Sequence, residues 1–199
     1  MTTAEDLFMI AMGPENSVGQ GDLSLALAGA ELIDLIGAGA VVLDSDRIVP
    51  NSPPPLDDRF LGEAAAGLTR QVPYERVEDW LWRRGRDLSA AYQTALEQSG
   101  VLTPQRSGRL PIGSKSLKAA DTPARRRAAD RWNDREPTLT ALAAAVGIGE
   151  EPSGEGTVLD DEAVTSVVAS VHDAVMELEA VRQRRTIENQ AFANLWRGP

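Results

Sequence analysis

The chain has 199 residues, no cysteine, one histidine (His172) and a formal net charge of −10. Those counts exclude disulfides, zinc–thiolate and iron–sulfur ligation and thiol nucleophiles, and they leave almost no histidine-based metal or triad chemistry. The length suits one domain, residues 1–199, and the acidic start MTTAEDLFMIAM lacks the basic opening and cleavage pattern of a secretory signal, so a cytoplasmic protein is expected.

The charge is uneven. Residues 70–135 hold 14 of the 20 basic residues against 8 acidic ones, and the rest of the chain holds 6 basic and 22 acidic. Such a split suits a basic, phosphate-attracting face on an otherwise acidic, soluble body, and equally a mixed solvated surface. Arginine outnumbers lysine by 18 to 2, a coding bias that points to a bacterial source.

In chain order, Thr3 and Asp6 suit the start of a first helix continued by Leu7, Phe8, Ile10 and Ala11, and Gly13 to Gly21 reads as a loop. Asp22 or Ser24 can cap a second helix that reaches about Gly37. Leu23, Leu25, Leu27, Leu32, Ile33 and Leu35 run nearly all round it, as on a central buried helix. The stretch from Leu23 to Leu43 is long enough to span a membrane. Glu31 and Asp34 at its middle each cost roughly 2.5–3.5 kcal/mol, which rules against insertion. Glu31 and Asp34 are instead expected to be structural acids that accept backbone or arginine hydrogen bonds.

Val41 to Val49 predicts a short hairpin, and Asn51 to Pro55 a stiff connector. A helix over Asp57–Thr69 follows, then one opened by Pro73 with Val77, Trp80, Leu81 and Arg84 at helical spacing. Gly85 interrupts it, and Arg86 to Ser99 forms a further helix stopped by Gly100. Arg106 to Leu117 alternates glycine turns with short apolar runs and predicts a basic β-hairpin. Pro123 and Pro137 each start a helix, Gly147 to Gly156 is an acidic loop, and Asp160-Asp161 opens a last long helix on a stripe of Val164, Val167, Val171, Val175 and Leu178.

Taken in order, Asp6-Leu7-Phe8-Met9-Ile10-Ala11, Leu27-Ala28-Gly29-Ala30-Glu31-Leu32-Ile33-Asp34-Leu35, a hairpin, Trp80-Leu81, Gly100-Val101-Leu102, a basic hairpin and an arginine-rich helix resemble the Golgi phosphoprotein 3 family, from about residue 4 to residue 196. The resemblance implies a mainly α fold: a central helical bundle ringed by shorter helices, with one or two small β-hairpins. It implies a non-enzymatic peripheral membrane adaptor without a cofactor, at the inner membrane surface in a bacterium, that binds a phosphatidylinositol 4-phosphate-like anionic headgroup. The family's pocket uses a tryptophan in the loop before the central helix, an arginine in that helix and two arginines three apart on a later helix. These positions fall near Gly19, on Ala28, and on Arg86 and Ser89 of this chain, so Arg86 is the position that matches.

Arg83, Arg84 and Arg86 are therefore the candidate headgroup residues, because a guanidinium fork suits phosphate. The same side chains can pair with Glu75, Glu78, Asp79 or Asp87. Arg109, Leu110, Ile112, Lys115 and Leu117 of the basic hairpin form the candidate surface for an anionic membrane, and the resemblance also makes this hairpin a place of self-association. Arg125-Arg126-Arg127 point three ways on a helix and read as a solvated face, and Trp82 reads as core or pocket rim. His172, with no second histidine or cysteine, reads as structural or surface, and no metal site is expected. Two alternatives remain: a winged-helix-like nucleic-acid binder using the helix from Arg86 to Ser99, disfavoured by its single arginine against Asp87 and Glu97, and a protein-binding scaffold with no ligand.

Overall fold

A computed structural model describes residues 2–52, 55–105, 116–119, 121–149, 159 and 161–195. Among them are eight helices and two antiparallel two-stranded hairpins. The helices are α1 (Thr3–Ala11), α2 (Gln20–Gly37), α3 (Arg59–Ala66), α4 (Val77–Arg84), α5 (Leu88–Gln98), α6 (Pro123–Asn133), α7 (Pro137–Ala145) and α8 (Glu162–Leu195). The hairpins are β1 (Val41–Asp44) with β2 (Arg47–Pro50), and β3 (Leu102–Gln105) with β4 (Ser116–Ala119).

The all-round apolar pattern of α2 has the expected consequence. Every residue from Leu23 to Ile33 is buried, and the helix packs against α1, α3, α4, α5, α7 and α8. Its one glycine in that run, Gly29, lets α8 approach: a Cβ there would lie 2.3 Å from Cγ2 of Val171. Val167, Val171 and Ala174 form the buried side of α8. Trp80 is fully buried, and its indole Nε1–H donates to the Ala28 carbonyl at 3.1 Å, so the largest core side chain leaves no unsatisfied donor.

Several helix starts differ from the sequence expectation. Thr2, not Thr3, caps α1, in a capping box with Glu5. The second helix opens on Gln20, with Gly19 at the N-cap and no side-chain cap. The fourth helix starts at Val77 rather than Pro73. Glu75 O accepts from Ile48 N, and Val77 N donates to Asp46 O, both at 2.9 Å, so residues 75–76 are held extended beside β2 before a helix can begin.

No described helix is long and apolar enough to cross a membrane.

Candidate functional site

Arg83, Arg84 and Arg86 are the candidate headgroup residues, with pairing to nearby carboxylates as the alternative, and the structure sends the three in different directions. Arg83 lies on α4 and turns outward onto Glu75. Its Nε and Nη2 donate to the two carboxylate oxygens at 2.6 and 2.7 Å, and Nη2 also reaches Gly67 O at 3.2 Å. The guanidinium sits 5.1 Å from the centre of the Trp80 ring. The hydrogen bonds Arg83 donates to Glu75 raise the Arg83 pKa above its ordinary value.

Arg84, one residue on, points inward. Its Nε and Nη2 donate to Glu31 at 2.7 and 3.0 Å, and Nη2 also donates to Phe60 O at 3.2 Å. Glu31 is fully buried and also accepts the Tyr92 hydroxyl at 3.0 Å. Burial pushes the Glu31 carboxyl up, and the Arg84 and Tyr92 hydrogen bonds oppose that rise. Tyr92 is raised in turn, first by burial and then by the Glu31 charge. Its ring stacks on Phe60 with centroids 3.9 Å apart. Arg83 and Arg84 are therefore engaged by carboxylates and do not converge with Arg86.

Arg86 has a different setting. Gly85 closes α4 directly against α2, where a Cβ would fall 2.5 Å from Leu81 O and 3.2 Å from Ser24 O. Asp87 then turns the chain into α5 through a left-handed conformation, φ 57° and ψ 14°. A serine relay fixes the junction: Ser89 N donates to Ser24 Oγ at 3.0 Å, Ser24 Oγ to Ser89 Oγ at 2.9 Å, and Ser89 Oγ to Gln20 O at 3.1 Å. Ser89 is thus a buried structural hydroxyl.

The tight junction leaves Arg86 exposed on the rim of an open pocket of about 510 Å³, lined also by Gln20, Gly21, Trp82, Asp87 and Leu178. Among the described residues Arg86 has no ion-pair partner. The first turn of α2, which has no side-chain cap, forms one wall through Gln20, Gly21 and Ser24. Trp82 supplies an aromatic wall, the rim role that the sequence left open.

The α8 helix closes the α2 side of this pocket. Arg182 holds Asp22 with Nη1 at 2.8 and 2.7 Å from its two oxygens. A Cβ on Gly21 would meet Leu178 Cδ2 at 2.8 Å and Arg182 Nη2 at 3.0 Å. Leu178 and Arg182 thus fill the space beside Gly19 and Gly21, where the resemblance would put a loop tryptophan. Ala28, the position of the helix arginine, is fully buried under Trp80 and does not reach the pocket.

A family model described as Golgi phosphoprotein 3 (GPP34) matches residues 4–187. The chain belongs to the Golgi phosphoprotein 3 family. A comparison with curated proteins finds no match. The fold agrees with the expected mainly α architecture: a central α2 packs against the long α8 and the shorter α1, α3, α4, α5 and α7, with two small hairpins.

The remaining candidates sort as follows. Arg109, Leu110, Ile112 and Lys115 lie outside the described residues, and Leu117 is on β4. Arg127 and Arg131 both donate to the buried Asp6, at 2.7 and 2.6 Å, and Arg131 also to Glu136 at 2.9 Å. The arginine-rich helix α6 is thereby tied to α1, so Arg127 is not part of a purely solvated face. His172 is exposed on α8. No group of three or more His, Cys, Asp or Glu among the described residues is placed to hold a metal ion.

Proposed function

We propose that this Golgi phosphoprotein 3 family member is a non-enzymatic peripheral adaptor that takes the phosphate of an anionic phospholipid headgroup beside Arg86, at the cytoplasmic face of a membrane. One observation supports the reading above the others: Arg86 is an exposed guanidinium with no carboxylate partner among the described residues, on the rim of a pocket whose wall is the uncapped start of α2. A phosphate placed there gains a charge-assisted pair from Arg86. Trp82 offers a flat face for a sugar ring or glycerol. A headgroup with one phosphate fits better than a highly phosphorylated one, because Arg83 and Arg84 are occupied and Asp87 lies on the same rim.

The nucleic-acid alternative finds no support in α5. Its sequence LSAAYQTALEQ carries no lysine or arginine, and its buried side, Leu88, Tyr92 and Leu96, packs toward α2.

Liposome flotation tests the proposal. Vesicles containing a phosphatidylinositol monophosphate are expected to retain the protein at low salt and to release it as salt rises, while neutral phosphatidylcholine vesicles do not retain it. Absence from every anionic vesicle at low salt overturns the lipid reading.

A further inference from the structure

We propose that the corner between α6 and α7 is a separate ligand site, which takes a small molecule carrying a flat ring and one carboxylate or phosphate. The site shares no lining residue with the Arg86 pocket, and the proposal does not depend on that reading. The corner holds an open cavity of about 440 Å³, lined by Trp132, Asn133, Arg135, Thr140 and Gly149. Small-molecule sites commonly enclose roughly 300–1,000 Å³.

Trp132 is half-buried and forms the aromatic wall. Gly149, in a left-handed conformation with φ 80°, lies close against it: a Cβ there would come within 3.3 and 3.4 Å of Cη2 and Cζ2 of the indole. The ring is thereby held at the cavity wall, where a flat ligand ring can stack on it.

Arg135 supplies the charge. It is exposed and makes no ion pair among the described residues. The neighbouring Glu136 is already engaged, accepting from Arg131 at 2.9 Å and from the N–H groups of Thr138 and Leu139. No carboxylate lines the cavity among the described residues, so a bound anion meets a guanidinium and the Asn133 amide.

Two local features of this corner cost stability, and folding alone asks for neither. Arg135 follows the end of α6 at φ 53°, with its N–H on Trp132 O at 3.1 Å, the position after a helix where glycine is the unstrained choice. Thr140 is the second. Thr94, Thr165 and Thr186 each donate their hydroxyl to the carbonyl four residues back. The Thr140 hydroxyl is buried and has no hydrogen-bond partner among the described residues. Departures from local rules that gather at one cavity mark a functional site rather than a folding device.

Fluorine NMR of the full chain labelled with 5-fluorotryptophan tests the site. The chain has four tryptophans, and Trp132→Phe assigns the signal of interest. Titration with 2-naphthoate and with 2-naphthyl phosphate is expected to shift the Trp132 signal saturably, and the tighter of the two names the anion. Neutral 2-naphthalenemethanol should not saturate it. Arg135→Gly should weaken binding at least about tenfold without lowering the melting temperature, because glycine relieves the left-handed backbone. Arg86→Ala should leave the titration unchanged. No saturable shift with either anion, equal binding of the neutral compound, full affinity in Arg135→Gly, or loss of the shift in Arg86→Ala overturns the proposal.

Discussion

Glu31 and Arg84 meet in the interior through two hydrogen bonds of 2.7 and 3.0 Å across 53 residues of sequence, joining the central α2 to the end of α4. Glu31 has no solvent exposure, so this pair decides which arginine of the cluster is left for a ligand: Arg84 is structural. Removing one member strands the other. Arg84→Ala is expected to cost about 3–5 kcal/mol by leaving an uncompensated buried acid. The double substitution Glu31→Gln with Arg84→Met should recover most of that loss. Urea unfolding of the three variants checks it.

Tyr92 completes the same site, with its hydroxyl on Glu31 and its ring on Phe60. Tyr92→Phe keeps the stack and removes one hydrogen bond to a charged acceptor, a loss of about 1.5–3 kcal/mol. Thermal melting against wild type measures it.

Gly29 sets the approach of α8 to α2. A methyl group there would lie 2.3 Å from Val171 Cγ2 and also near Leu81 Cδ2, at 3.7 Å. Gly29→Ala therefore overpacks the helix crossing and should destabilise by about 1–3 kcal/mol, despite alanine's better helix propensity. Val171→Ala in the same chain should relieve part of the clash, which a double-mutant cycle by denaturant unfolding would detect.

Asp34 gives a pH signature. Its Oδ2 accepts from Thr3 N at 2.8 Å, and burial is the leading cause that raises its pKa above the ordinary 3.8. A carboxyl raised in the folded state binds its proton more tightly there than in the unfolded chain. Its stabilising contribution is full below the unfolded pKa and is lost as pH rises through the folded pKa. Asp34→Asn should remove that part of the decline on the alkaline side of pH 3.8, as read from the unfolding midpoint across a pH series.

Much of the fold was legible because its signals are local and periodic. The all-round leucines of α2, the valine stripe of α8, Trp80 as core and the hairpin at Val41 to Val49 all follow from spacing alone. The helix start expected at Pro73 failed because residues 75–76 are held by hydrogen bonds to the β1–β2 hairpin, a non-local contact. The candidate pocket is only half legible in the sequence. The sequence offers Arg86 as a candidate and Glu75 as a partner for the arginines, but Glu31 and Arg84 are brought together only by packing. Asp6 likewise finds Arg127 and Arg131 from more than 120 residues away. Trp82 and Leu178 could not be placed on one pocket before α8 was seen to cross the start of α2.

Isothermal titration with a water-soluble, short-chain phosphatidylinositol monophosphate, on wild type and Arg86→Ala, tests the lone-guanidinium pocket most directly. Saturable binding by wild type is predicted, weakened at least about tenfold in Arg86→Ala, the equivalent of one lost charge-assisted contact, with an unchanged melting temperature. Equal affinity in the two proteins, or no heat of binding in wild type, would contradict it.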